Sequence, residues 1–271
     1  MSSQSKSIAL VVASHNQDIL GFNLKASPCL LNDSHQLHVI QDAPSASIAY
    51  NRGLELSDAE IIVFVHHDVY LPVGWSELLQ KRVAEVEALD PDWALLGPVG
   101  VDEYGTVFGP VWSTSLGQIV GRVPTKPVPI QSYDELMIVM RRDAGLRFDE
   151  KLPNFHLYGT DIVQTALGQN KGCYSVSLPV IHNDGFHDTL GEDFSQCLRY
   201  MQKKWHSRLP LKTAVTEITR SGIKHWREKR RAQKFRDIRL AMTLPTDTNP
   251  ACYAELCGWQ NIAPLEGTSK C

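Results

Sequence analysis

The sequence predicts an α/β fold with a mainly parallel central sheet flanked by helices, and three observations carry that prediction. Apolar runs of four to six residues, such as Ile8–Ala13 and Ile61–Val65, are bounded by polar residues. That is the pattern of strands buried on both faces. Segments with apolar residues at helical spacing lie between these runs, and the links are short. Strand, helix, strand, helix with short links gives parallel strands joined by right-handed crossovers.

In chain order, the first strand is Ile8–Ala13, ending at Ser14-His15-Asn16, and the second is Leu37–Ile40, ending at Gln41-Asp42. Ser45 or Ser47 caps a helix over 47–56, with Ile48, Ala49, Leu54 and Leu56 turned inward. The third strand, Ile61–Val65, stops abruptly at His66-His67-Asp68. Pro72 and Gly74 precede a helix over 75–89, whose Trp75, Leu78, Leu79, Val83, Val86 and Leu89 share a face. A strand at 94–97 follows, then glycine-punctuated hairpin pieces between Gly105 and Gly121 and a proline-marked loop at 124–129. Further elements are a buried strand at 135–140, a helix from Asp161 to Gly168, a strand from Tyr174 to Val180, and a helix from Glu192 to Trp205. Residues 1–209 are expected to form the main domain, 210–243 a basic helical extension, and 244–271 an irregular cysteine-containing tail.

The six cysteines are scattered, with no Cys-x-x-Cys pair. That spacing excludes a zinc finger and argues for reduced thiols over a disulfide framework. No apolar run approaches the roughly 18–20 residues of a membrane span, and the first seven residues lack a signal-peptide core, so a soluble, cytoplasmic protein is expected. Nine Lys/Arg against two acids fall between Arg220 and Arg239, whereas residues 1–219 carry 17 Lys/Arg and 25 Asp/Glu. An acidic body with a basic C-terminal helix is not the profile of a dedicated nucleic-acid binder. That basic segment, with Trp226 and Phe235 among its charges, has three readings: a solvated helix face, a surface for an anionic partner such as an acidic membrane or a phosphate-rich acceptor, and, least favoured, a nucleic-acid contact.

Ligands in open α/β sheets bind beyond the carboxyl ends of the strands. Ser14–Asn16, Asp42, His66–Asp68 and His182 all fall at such ends, and His156–Asp161 opens a helix. Each also has a plainer reading: a solvated turn for His66 and His67, a turn cap for Asp68, turn chemistry for His182, and a helix cap for Asp161.

Taken in order, Ser14-x-Asn16, Asp42, Ala49-Tyr50-Asn51-Arg52-Gly53-Leu54, Phe64-Val65-His66-His67-Asp68, Phe148-Asp149-Glu150, Tyr158-Gly159-Thr160-Asp161 and Pro179-Val180-Ile181-His182 resemble the inverting family 2 glycosyltransferases of the GT-A fold. The resemblance spans about residues 8–205. It implies a nucleotide-diphosphate sugar donor, a UDP-sugar by analogy, and a glycan, lipid-linked or protein acceptor. It also implies a divalent cation, Mn²⁺ or Mg²⁺, that neutralises the leaving diphosphate. On this pattern Asp68 and His182 hold the metal, and Ser14, Asn16, Asp42, Asn51, Arg52, His66 and His67 contact the nucleotide sugar. Asp161 is the general base that takes the acceptor proton. Trp112 is a candidate to stack on a sugar face. The chain departs from the pattern twice: His66 stands where the family has the first Asp of Asp-x-Asp, and Thr160 where it has the Glu before the catalytic Asp. A GT-A-like domain that binds without turnover and a metal-dependent phosphohydrolase therefore stay open.

Overall fold

A computed structural model describes residues 5–32, 35–186 and 190–263. Its centre is a seven-stranded sheet formed by β1 (Ile8–Ala13), β2 (Gln36–Ile40), β3 (Ile61–Val65), β4 (Trp93–Gly97), β5 (Val128–Pro129), β6 (Met137–Arg141) and β7 (Gly172–Ser175). The strand order is β5-β7-β4-β6-β3-β1-β2. β1 pairs in parallel with both β2 and β3, and β7 in parallel with β4. β6 enters between β3 and β4 antiparallel to both, and β5 is antiparallel to β7. The α/β class and the mainly parallel sheet stand, with β5 and β6 as the two reversed strands. A continuous apolar strand records burial on both faces, not direction, so the reversal of β6 leaves no mark in its own residues.

Alternation along the strands sorts side chains into two cores. Ile61, Val63 and Val65 join Leu10, Val12 and Trp75 on one face. Ile62 and Phe64 join Ala9, Val11, Tyr50, Phe148 and Tyr158 on the other. All five β3 side chains are essentially inaccessible, each burial contributing about 1.5–3 kcal/mol before the entropy of ordering.

The helices used below are α1 (Gln17–Phe22), α2 (Ala46–Glu55), α3 (Trp75–Leu89), α4 (Tyr158–Gly168), α5 (Glu192–Lys204), α6 (Ile223–Lys234), α7 (Arg236–Met242) and α8 (Pro250–Leu256). Of the two candidate caps of α2, Ser45 is the one that acts, accepting from the Ile48 N–H. The expected strand 174–180 divides in two: its start completes β7, and Val180–His182 joins a second sheet with Val69–Tyr70, Val111–Ser113 and Gln118–Val120. The basic segment expected as one helix is two, α6 and α7, meeting at Phe235. The tail read as irregular contains α8, whose Tyr253 stacks on Trp112 at 5.8 Å between ring centroids. Trp112 is therefore covered by protein, which corrects its reading as a sugar platform. Among the described residues Cys29, Cys173, Cys197, Cys252 and Cys257 are free thiols, and Cys271 lies outside those residues. No described helix is long and apolar enough to cross a membrane.

Gly53 sits where α2 crosses β1, and a Cβ there would overlap the Val11 side chain. Gly53→Ala is expected to cost about 1–3 kcal/mol through this overpacking. A fall in the urea midpoint with an unchanged slope would register the loss; an unaltered midpoint would show that α2 can lift off β1 freely.

Candidate functional site

The carboxyl end of β3 opens into a cavity of about 1440 Å³. Ser14, Asp42, His66, His67, Asp68 and His182 all line it. Four other predicted site residues do not. Asn16 is half-buried and caps α1, accepting from the Asp18 and Ile19 N–H groups. Asn51 is buried and clamps the chain at Phe148, donating to its carbonyl and accepting from its N–H. Arg52 is exposed on α2. Asp161 is buried inside α4, where its carboxylate accepts from Lys204 Nζ at 2.8 Å and from the Trp205 indole at 2.7 Å. It is not the helix cap, because α4 begins three residues earlier at Tyr158. A motif fixes spacing along the chain, whereas the aim of these side chains depends on what packs over them.

Alternation along β3 explains the divergence of the two histidines. His66 continues the Ile62/Phe64 face, and its Nε2 lies 2.8 Å from the Tyr158 hydroxyl. That hydroxyl donates its proton to the Glu135 carbonyl at 2.8 Å. The Nε2–H of His66 is then the donor to Tyr158, and Nδ1, 4.0 Å from Asp68 Oδ1, keeps a free lone pair. Burial pushes the His66 imidazole down to about 4, so it is neutral at pH 7. His67 turns to the other side, 3.0 Å from Ser14 Oγ.

His182 reaches Asp68 through the second sheet, in which His182 is the partner of Val69 and of Ser113. His182 Nε2 is 3.4 Å from Asp68 Oδ1, and its Nδ1 is 3.8 Å from Asp184 Oδ2. The Asp184 carboxylate is held by the hydroxyls of Ser113, Thr114 and Ser115 and by the Ser115 N–H. Burial alone would lower the His182 imidazole; the facing Asp68 and Asp184 outweigh it and raise it to about 10. For Asp68, burial opposes ionisation, but His182 and the other histidines hold the carboxyl far below its ordinary value.

One donor atom from each of His66, Asp68 and His182 can be chosen so that all three lie within 4.8 Å of one another. Among the described residues, Asp68 Oδ1 and His182 Nε2 are buried and have no hydrogen-bond partner beyond their mutual ion pair at 3.4 Å. A carboxylate and two imidazoles whose donor atoms converge fit a divalent cation of borderline hardness, Mn²⁺ more readily than Mg²⁺. Asp184 behind His182 is the carboxylate–histidine support that metal-binding histidines generally have.

Two carboxylates of the cavity wall, Asp134 and Glu135, were not singled out from the sequence. Glu135 was read as the first residue of a strand. It lies two residues before the start of β6, and the reversal of β6 delivers it to the edge where β3 ends: the His66 N–H donates to the Leu136 carbonyl at 2.9 Å. The side chain approaches the start of α4, with Glu135 Oε1 beside Gly159. Burial pushes its carboxyl well above the usual range, partly offset by the Gly159 and Leu157 N–H groups. The β-reversal is the signal that would have found it, and it is a tertiary one.

His66 and His182 set opposite limits on the pH range of the protein. His66 is depressed from an unfolded value near 6.5, so its neutral, buried form favours folding fully above about pH 6.5. That contribution is lost as pH falls towards about 4. His182 is raised, so its ion pair with Asp68 favours folding fully below about pH 6.5 and is lost as pH rises to about 10. Urea midpoints of the chelated protein are expected to peak near pH 6.5 and to decline on both sides. In His182→Ala the alkaline decline should shrink; an undiminished decline would assign it to other groups.

No protein-family model matches the chain, and no curated protein does. Among solved structures it is similar to GalNAc-T7 with UDP, GalNAc and Mn²⁺, at TM-score 0.49 and 11% identity over 74% of this chain and 48% of that one. It spans about half the length of that protein. It is similar also to the mannosyltransferase PcManGT from Pyrobaculum calidifontis in complex with GDP-Man and Mn²⁺, at TM-score 0.44 and 12% identity over 94% and 77% of the two chains. A third is glucosyl-3-phosphoglycerate synthase from Mycobacterium tuberculosis in complex with Mg²⁺ and UDP, at TM-score 0.42 and 11% identity over 78% and 82%.

Proposed function

We propose that the chain is a metal-assisted, inverting glycosyltransferase of the GT-A type that moves a sugar from a nucleotide-diphosphate donor to an acceptor hydroxyl. The observation that carries this reading is the convergence of His66, Asp68 and His182 at the end of a buried strand, inside a cavity large enough for both substrates. Asp68 and His182, with the Nδ1 lone pair of His66, would hold a divalent cation whose charge stabilises the departing diphosphate. Ser14, Asp42 and His67 line the same cavity and would bind the nucleoside side of the donor. A UDP-sugar is the donor favoured by the sequence resemblance. Asn16 and Asn51 act by shaping the walls, and the exposed Arg52 takes no part.

In an inverting transfer the acceptor oxygen attacks the anomeric carbon as the bond from that carbon to the phosphate oxygen breaks. The electron pair of that bond leaves with the nucleoside diphosphate, and the acceptor proton passes to a carboxylate on the opposite face of the sugar. Glu135 suits that role by position: it lines the cavity, and burial raises the proton affinity of its carboxylate. Asp161, engaged by Lys204 and Trp205, would join the last turn of α5 to α4.

Incubation with a panel of nucleotide sugars and Mn²⁺ should release nucleoside diphosphate, and Asp68→Ala should abolish both release and Mn²⁺ binding in calorimetry. Release of inorganic phosphate from phosphoesters would instead indicate a phosphohydrolase, and donor binding without product a non-catalytic domain. Glu135→Gln is expected to lower turnover about 10²–10⁴-fold with donor affinity retained. Asp161→Asn should lower stability more than turnover. The reverse outcome for this pair would return the general-base role to Asp161.

A further inference from the structure

Helices α6 and α7 are anomalous for elements of a folded domain. None of their side chains is buried. Ile223, Trp226, Ile238, Leu240 and Met242 are all exposed, Trp226 to 55% and Ile238 to 57%. Helices of 12 and 7 residues are marginal in water on propensity alone, and in proteins their stability comes from packing an apolar face. Here most of that apolar surface remains open to solvent.

The charge is equally one-sided. Residues 220–239 hold nine Lys/Arg and two acids on a chain of net charge −3. Of the two acids, Glu228 is engaged with the Thr216 hydroxyl. Of the cations, Lys224 is tied to Glu217, and the Arg230 guanidinium lies over the Trp226 ring at 4.8 Å. At the start of α6, a second cleft of about 660 Å³ is lined by Thr219, Ser221, Ile223, Lys224, Arg227, Glu228 and Arg231, three cations against one carboxylate.

The geometry points to α6–α7 as an interfacial surface that seats the protein on an anionic lipid bilayer. Exposed aliphatic and indole side chains interleaved with Lys and Arg match the boundary between acyl chains and phosphate headgroups. Nucleic acid offers the phosphates but no apolar layer to receive Ile223, Ile238, Leu240 and Met242, so the lipid surface is the partner that uses both chemistries. The inner side of the same helices supplies Glu228, Arg231, Ala232, Phe235 and Arg239 to the wall of the main cavity. Seating these helices on a bilayer therefore brings the cavity wall to the membrane and suits an acceptor carried in the lipid.

The test is flotation of the full chain with vesicles of phosphatidylglycerol and phosphatidylcholine in equal parts, against vesicles of phosphatidylcholine alone. Binding to the anionic vesicles only is expected, weakened by salt as headgroup electrostatics are screened. The triple variant Arg227→Glu, Lys229→Glu, Arg230→Glu should reduce partitioning at least about tenfold. The double variant Trp226→Ser, Ile238→Ser should reduce it about three- to tenfold. These side chains are exposed, and unchanged circular dichroism will show that the variants fold. No flotation on anionic vesicles, or flotation unaffected by either variant, would overturn the proposal. So would duplex RNA that displaces the protein from vesicles and binds it equally well with Trp226 and Ile238 replaced, which would mark the surface as a nucleic-acid contact. Flotation is read without any turnover, so its failure and a failure of the transferase reading are separate results.

Discussion

The antiparallel entry of β6 between β3 and β4 is the constraint on which the rest of the site depends. In a purely parallel sheet, the residues before a strand lie at the edge opposite to the residues that follow its neighbours. Reversal of one strand puts Asp134, Glu135 and Leu136 beside His66–Asp68. The backbone hydrogen bond from His66 to Leu136 locks the two segments together. Through the Glu135 carbonyl the same reversal orders the Tyr158 hydroxyl, and that hydroxyl sets the tautomer of His66. A change of strand direction thus becomes a statement about which imidazole nitrogen can bind a cation.

The second constraint is electrostatic. A buried carboxylate and a buried imidazole are each expensive to hold without partners. Asp68 and His182 lie 3.4 Å apart, with Asp184 behind the histidine and three hydroxyl side chains around Asp184. The surrounding sheet and the packed aromatic cluster of Tyr50, Phe64, Phe148 and Tyr158 supply the rigidity that keeps these groups in place. Metal-site geometry and domain core are in this sense one structure, because Tyr158 belongs to both.

Asp161 shows how packing decides the surroundings of a residue whose local pattern fits a motif. Its place near a helix start, after Tyr158-Gly159-Thr160, matches the motif. The end of α5 then crosses over it, so that Lys204 and Trp205 claim both of its oxygens. Residues 43 and 44 positions away made that decision. Asn51 is similar: its side-chain amide is consumed at Phe148, a contact 97 residues distant.

Determined by the sequence alone were the α/β class, the bounds of β1 and β3 to the residue, a serine cap at the start of α2, and the position of His66–Asp68 at the end of a buried strand. These follow from short-range physics: alternation, burial of continuous apolar runs, and hydrogen bonding within a helical turn. Only the tertiary structure decided the direction of β6, the division of 174–180 between two sheets, and the arrival of Asp134 and Glu135 at the cavity wall. Each of those depends on which distant segments become neighbours, and no local pattern of residues encodes that choice.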